Sequence, residues 1–253
     1  MSEVLFAPWV GEKYEGEGFS GLRVLVVSES HYGPEKHERP TVTPETIKAL
    51  AQAKRHPEVA ARTKLHAHYG KILASMHGKE STRSFTMLSR RDFWDRVAYY
   101  NFFQVTLRKA RIAPPASSWA VADRALDHVL DVLKPDLMLV YSKRVGQRLA
   151  KRTLAVPMAW VHHPSSGFTY RGSNPRIASA LAAAVGGQPV RLAVGAELNV
   201  DFVLWSQVSR EATPYHGGRL DPERKAEELA RWALEMQCAR KRISDMLSNT
   251  PSL

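Results

Sequence analysis

The chain is poor in the features that several large classes of protein need. Its 253 residues include one cysteine, Cys238, which excludes a disulfide framework, a multi-cysteine zinc site and a cysteine-ligated iron–sulfur cluster. No apolar run reaches the 18 residues typical of a membrane-spanning helix. Residues 1–10 lack the basic and apolar regions of a signal peptide. We therefore expect a cytoplasmic protein that does not associate with membranes.

Two motifs of common hydrolases are also missing. The sequence has no G-x-x-x-x-G-K-[ST] phosphate loop and no G-x-S-x-G nucleophile elbow. Gly16, Gly18 and Gly21 match a dinucleotide-binding pattern, but they precede the first predicted strand instead of following it, which favours a flexible loop. His66 and His68 have no carboxylate or cysteine nearby in the sequence, so they are interpreted as surface histidines. We expect neither a metal nor a cofactor.

The charge of the chain is strongly positive. The formal net charge is +11 at pH 7 and the sequence pI is about 9.9. A basic excess of this size favours an anionic partner, with DNA as the first candidate. An anionic membrane surface, or a charge that serves only solubility, is the alternative. Hydrophobic residues make up 44% of the chain, which is enough for a sizeable core.

Short apolar runs alternate with helical patterns along the chain. Four runs have the length and composition of buried strands, at 22–27, 97–103, 137–141 and 156–161. Between and after them, helices are predicted at 43–56, 66–76, 118–133, 142–149 and 174–184. This alternation predicts an α/β fold with three layers, α/β/α, around a central four-stranded, mostly parallel sheet.

The last third of the chain is predicted to be a helical extension of a single domain. We place the core at about 20–185 and the extension at about 186–253, with a final helix at about 222–247. Apolar residues recur in that helix every three or four positions, at Leu229, Trp232, Met236, Ala239, Ile243 and Met246. We expect this stripe to pack on the domain of a monomer; a dimer through the helix is the alternative.

Each of the four predicted strands ends in polar residues. The first leads into Glu29 and its neighbours, the second contains Asn101, the third leads into Lys143 and Arg144, and the fourth leads into His163. Because the carboxyl ends of parallel strands meet at one edge, where open α/β sheets bind ligands, these side chains are expected to converge. Three of these groups also have a purely structural interpretation. The Glu29 segment would be a turn, Asn101 would be bonded to a neighbouring loop, and Lys143 and Arg144 would lie on a solvated helix face.

The four segments, in this order, resemble the uracil-DNA glycosylase superfamily. The segments are VSESHYG at 27–33, AYYN at 98–101, PDLMLVYS at 135–142 and HPS at 163–165, and the resemblance covers about 20–185. It implies an enzyme that flips a base out of DNA, hydrolyses its N-glycosidic bond and leaves an abasic site. The enzyme should be monofunctional, since no lysine is evidently placed for a Schiff base.

The first loop departs from the superfamily pattern. Many members carry Asp-Pro or Asn-Pro in this loop, whereas this chain has Ser30 and His31 there. Glu29 is the only carboxylate of the loop. The sequence therefore resembles a divergent branch. The target is uracil or a modified base, such as the glucosylated hydroxymethylcytosine type of phage DNA, in repair or in defence against phage.

The resemblance implies roles for individual residues. His163 would donate to the oxygen of the leaving base, Glu29 would stabilise the sugar cation or orient the attacking water, and Asn101 would read the base edge. The residues expected around the base are Ser30, His31, Tyr32, Tyr100 and Phe103, with Tyr32 the first candidate for stacking. The residues expected to contact DNA are Lys143, Arg144, Arg148, Ser165, Ser166, Phe168 and Tyr170.

Two other interpretations remain open. A non-catalytic DNA-binding protein of the same fold would show strong salt dependence and release no base. A hydrolase of free nucleotides or nucleosides is the other, but a small substrate needs no extended basic surface, and the +11 charge argues against it.

Overall fold

A computed structural model describes residues 4–33, 38–52, 66–108 and 112–185 of the chain. Within these residues the protein is a mixed α/β structure with a mostly parallel sheet. The predicted extension at 186–253, including its helix at 222–247, lies outside the described residues. So does the end of the helix predicted at 43–56.

The main sheet contains the four predicted strands and one more. The strands are β1 (Trp9–Val10), β2 (Val24–Ser28), β3 (His31–Tyr32), β4 (Val97–Asn101), β5 (Thr106–Leu107), β6 (Leu137–Tyr141) and β7 (Met158–Val161). The main sheet has the order β1-β4-β2-β6-β7, and β3 pairs with β5 in a separate two-stranded ribbon. Strands β4, β2, β6 and β7 are parallel, and β1 is antiparallel to β4. The expected four-stranded sheet is thus corrected to five strands.

Six α-helices connect and cover these strands. They are α1 (Val42–Thr46), α2 (Ala67–Met76), α3 (Met87–Asp95), α4 (Ser118–Leu133), α5 (Lys143–Leu149) and α6 (Tyr170–Val185), and a π-helical turn at Ile47–Ala51 continues α1. The predicted bounds of α4 and β6 are confirmed. The predicted start of the last of these helices at Asn174 is wrong. Thr169 Oγ1 accepts the N–H of Gly172 near the start of α6, while the Asn174 side chain donates to the carbonyl of Lys79 inside the fold.

The central strands are buried on both faces. All five residues of β2, of β4 and of β6 are buried. Successive side chains of a strand point to opposite faces, and in β2 they join two separate clusters: Val24 and Val26 lie in one, Leu25 and Val27 in the other. Helices α2, α3 and α6 supply the first cluster, and α4 and α5 the second. This two-sided burial explains why these strands read as continuous apolar runs.

A glycine allows α5 to lie close against β7. A Cβ built on Gly146 would lie 2.4 Å from the Cβ of Trp160, so no larger residue fits without a shift. Helix α5 begins directly after β6, at Lys143, with the side chain of Ser142 as its N-cap, close to the start predicted at 142. This close packing fixes the start of α5 at the carboxyl edge of the sheet.

Candidate active site

The ends of the parallel strands place the predicted site residues along one edge. Ser28 at the end of β2 is in register with Asn101 at the end of β4. On the other side of β2, Val27 is in register with Val140 of β6, and Tyr141 is in register with Val161 of β7. The segments that follow these strands therefore leave the sheet at the same edge.

Glu29 lies at this edge with its carboxylate held by the neighbouring strand. Ser142 Oγ donates to Glu29 Oε2 at 2.7 Å, and Nη2 of Arg144 lies 3.5 Å from Oε1. The same Ser142 hydroxyl accepts the N–H of Val145 at 3.3 Å. One serine thus caps a helix and orients a buried carboxylate, a role that the sequence analysis did not assign to it.

His163 lies in a tight turn that determines which ring nitrogen carries the proton. The backbone N–H of Ser165 donates to His163 Nδ1 at 3.2 Å, and the N–H of Ser166 donates to the His163 carbonyl at 2.8 Å. With Nδ1 accepting, the neutral ring carries its hydrogen on Nε2. Burial lowers the pKa of His163; Glu29 opposes this shift and the charge of Lys71 adds to it. At neutral pH His163 is therefore a neutral donor.

A second histidine supports the first from inside the protein. The ring of His68 lies 4.9 Å from the ring of His163, centroid to centroid, at an angle of 43°. His68 Nε2 is 3.3 Å from Ser28 Oγ and 3.4 Å from the hydroxyl of Tyr99. Burial is the main reason why the pKa of His68 lies well below its usual value.

The interpretation of His68 as a surface histidine is wrong. His68 is 8% exposed, whereas His66 lies on the surface and its ring accepts the His68 N–H at the start of α2. The signal was present in the sequence: His68, Ile72 and Met76 are four residues apart and share one helical face. The buried positions of α2 include all three.

Both polar atoms of the Asn101 side-chain amide form hydrogen bonds with other residues of the protein. Its Nδ2 donates to His31 Nε2 at 3.0 Å, and the hydroxyl of Tyr99 donates to its Oδ1 at 3.4 Å. His31 Nε2 is also 2.8 Å from Thr43 Oγ1, and burial lowers the pKa of His31 to about 4. This is the arrangement of the structural alternative, in which Asn101 is bonded to a neighbouring loop.

The residues expected around the base fall into two groups, one in the loop after β2 and one in the core. Tyr32 is 43% exposed, and burial of its phenol is the main reason why its pKa is raised. Ser30 and His31 are buried in the same loop.

Tyr100 and Phe103 do not reach the edge. Both are fully buried in the second core cluster, and the ring of Phe103 lies 4.7 Å from that of Trp119 on α4. Tyr100 follows Tyr99 and precedes Asn101, so the alternation of the strand turns it to the other face. Neither can stack on a base without leaving the core.

The cations of α5 have different surroundings. Lys143 and Arg144 are exposed at the start of the helix, and Arg144 faces Glu29. Arg148 instead forms an ion pair with Asp123 at 2.5 Å, and its guanidinium lies 4.9 Å from the ring of Trp119. Arg148 therefore belongs to the contact between α4 and α5, which weakens its assignment as a phosphate contact.

The loop after β7 exposes the hydroxyls expected to contact DNA. Ser165 and Ser166 are exposed. Phe168 is partly buried, with its ring stacked 6.4 Å from that of Tyr141 at 25° and 5.3 Å from that of Tyr170. The aromatic pair thus connects this loop to the core and to the start of α6.

The described residues contain neither a candidate metal site nor a helix able to span a membrane. In this part of the chain no three His, Cys, Asp or Glu side chains are grouped so that they could hold a metal ion. None of the helices in the described ranges has the length and apolarity needed to cross a bilayer.

Comparisons with known proteins identify no relative. No family model matches the chain, and no curated protein or solved structure is detectably similar to it. The residues at the sheet edge are therefore the only structural guide to function in the described part of the chain.

Proposed function

We propose that the protein is a DNA glycosylase that hydrolyses the N-glycosidic bond of a base flipped out of DNA. The observation that carries the proposal is that two groups lie in segments leaving one sheet edge. They are a buried carboxylate, Glu29, and a neutral histidine, His163, with its hydrogen on Nε2. We infer that the described elements form the three layers α/β/α expected for this fold, because helices supply the clusters on both faces of the sheet.

The chemistry of the bond explains why these two groups are needed together. As the bond between base and sugar breaks, positive charge develops on the sugar and negative charge on the base. A preorganised donor such as the Nε2–H of His163 stabilises the charge on the base. The carboxylate of Glu29, oriented by Ser142 and Arg144, stabilises the sugar cation or orients the attacking water. The products are the free base and an abasic site.

Asn101 has a more limited role than base reading in this proposal. A base that bound its amide directly would have to replace the contact with His31 or with Tyr99. With its present contacts, Asn101 holds the first loop in place through His31. Tyr32, which is exposed in the loop that carries Glu29, is the candidate for stacking on the base.

The charge of the chain supports DNA as the partner. Residues 186–253 contain nine Lys or Arg and nine Asp or Glu, so the whole excess of +11 arises in residues 1–185. The flipped nucleotide must leave the stack before its glycosidic bond can be reached. The exposed groups at the edge that would contact phosphates are Lys143, Arg144, Ser165 and Ser166. Phe168 or Tyr170 would fill the gap in the duplex, by turning away from the core cluster on which both are packed.

The proposal is tested with a panel of DNA duplexes. One duplex carries uracil, one carries glucosylated hydroxymethylcytosine, and a third carries only normal bases; abasic sites are scored after incubation. We expect base release from the first or second duplex. The variant His163→Ala should lose on the order of 100–1000-fold in rate. The matched control His128→Ala, which removes an exposed histidine of α4, should keep full activity.

Two further measurements, DNA binding at several salt concentrations and activity on free nucleosides, separate the alternative functions. Salt-dependent DNA binding without release of any base would favour a non-catalytic DNA-binding protein. Release of base from free nucleosides, with no competition by long DNA, would favour a small-molecule hydrolase. Activity of His163→Ala within a few fold of wild type would remove His163 from the mechanism.

A further inference from the structure

A lysine of α2 contacts the loop that carries His163. Lys71 lies three residues after His68, so the two share one side of the helix. Its Nζ donates to the carbonyl oxygen of Pro164 at 2.6 Å, and it lies 5.8 Å from the centre of the Phe168 ring. The ammonium group therefore reaches both ends of the segment from 164 to 168.

This loop needs support from outside itself. It connects β7 to α6 over residues 162–169, and Ser165, Ser166 and Gly167 are exposed at its tip. The bonds that shape the turn, from Ser165 and Ser166 to His163, fix the ring relative to its own loop. They do not fix the loop relative to the rest of the sheet edge. The bond from Lys71 does, because Pro164 is the next residue after His163.

Helix α2 holds the same histidine by a second contact. The buried ring of His68 packs against the ring of His163. One helix thus contacts His163 through its ring and through the carbonyl of the next residue. A displacement of about 1 Å at a reacting group can lower the rate on the order of 100-fold. Two contacts that limit the displacement of His163 would therefore maintain the rate.

The charge of Lys71 acts on His163 as well. The groups that face His163 are Glu29 from the loop after β2, and His68 and Lys71 from α2. Glu29 favours the protonated imidazolium, while burial and the positive charge of Lys71 favour the neutral ring. The neutral ring is the form that serves as the donor described above.

We propose that Lys71 is a positioning residue for His163, acting through the carbonyl of Pro164 and holding the His-Pro-Ser loop against α2. Its catalytic consequence rests on the proposed glycosylase function; its effect on the ring of His163 does not. Lys71→Met keeps the apolar stem and removes the ammonium, and Lys71→Arg keeps a charged donor. The two variants separate the charge and hydrogen bond from the packing of the stem.

The first test needs no substrate. The ring C–H resonances of His163 are followed by NMR from pH 8 downward in wild type, Lys71→Met and Lys71→Arg, with exposed His128 as an internal reference. We expect the pKa of His163 to rise in Lys71→Met and to return toward the wild-type value in Lys71→Arg, with His128 unchanged. Identical titration of His163 in all three proteins would overturn the proposal.

The second test uses a DNA duplex that carries whichever base the protein releases from the panel of duplexes described above. Single-turnover rates and DNA affinity are measured for the same variants, with Lys151→Met as a control that removes one exposed cation elsewhere. We expect Lys71→Met to lower the rate about 10–100-fold, with no greater loss of DNA affinity than the control, and Lys71→Arg to restore most of the rate.

The two proposals can fail separately. A rate within twofold of wild type, or a loss confined to DNA affinity, would contradict the positioning role of Lys71. If the wild-type protein releases no base from any duplex, the glycosylase proposal fails, and the titration of His163 still decides whether Lys71 acts on that ring.

Discussion

The burial of His31 makes a quantitative prediction about stability in acid. His31 is 9% exposed, its Nε2 accepts from Asn101 and lies beside Thr43, and its ring meets the edge of Phe6 at 5.2 Å. Burial lowers the pKa of His31 from 6.5 to about 4. Between these two values the unfolded chain binds a proton at this residue and the folded chain does not. The stability contributed by the neutral ring is therefore complete above pH 6.5 and is lost as the pH falls toward 4.

The size of the effect follows from the shift. One pKa unit corresponds to about 1.4 kcal/mol, so the shift of His31 corresponds to roughly 3 kcal/mol once both states are protonated. Between pH 7.5 and pH 5 this residue alone should lower the free energy of unfolding by about 2 kcal/mol. His68 and His163, whose pKa values are also lowered, act in the same direction.

Urea unfolding at the two pH values measures this loss. The variant His31→Gln retains a polar side chain but has no group that titrates in this range. We expect the variant to lose about 2 kcal/mol less than wild type between pH 7.5 and pH 5, whatever its stability at pH 7.5. The control His128→Gln, at an exposed position, should show the wild-type pH dependence. Equal losses in wild type and His31→Gln would refute the assignment of a buried, neutral His31.

Three further predictions concern the neighbours of the site. Gly146→Ala should destabilise the protein by about 1–3 kcal/mol, because the added methyl overlaps Trp160; a raised urea midpoint would contradict this. Ser142→Ala should remove both the cap of α5 and the bond to Glu29, costing about 1 kcal/mol in unfolding experiments and lowering the rate of base release, while Ser142→Thr retains both; equal rates in the two variants would exclude the role of the hydroxyl. Arg148→Ala should leave the salt dependence of DNA binding unchanged, since the side chain is engaged with α4; a slope smaller by about one would show a phosphate contact instead.

Local signals were sufficient for the parts of the fold that have strong patterns. Helix α4 shows an apolar repeat along one side, and Lys134 after it adopts a left-handed conformation before Pro135. Strand β6 is a five-residue apolar run between polar residues. The sequence therefore predicts the bounds of both. Strand β1 has only two residues and α3 is polar on most of its surface, so neither produces a pattern that is distinguishable from a loop.

The site was harder to predict, because its key contacts join distant parts of the chain. The contacts of His68 with His163 and of Lys71 with Pro164 join positions more than 90 residues apart in the sequence. Only the packing of α2 against the sheet brings these positions together. The placement of Tyr100, by contrast, was predictable. Because side chains alternate along a strand, Asn101 shares its face with Tyr99, and a base that approached Asn101 could not meet Tyr100.

We propose that Glu29 and His163 act together to break a base–sugar bond in DNA. The most direct test is mass spectrometry of the small molecules released when the protein is incubated with DNA that carries uracil or modified cytosines. We predict a free base in the filtrate with wild-type protein and with the control Glu80→Gln, an exposed position, and its near absence with Glu29→Gln and with His163→Ala. Equal amounts of free base from wild type and both site variants would contradict the account, as would a filtrate with no free base from any of the proteins.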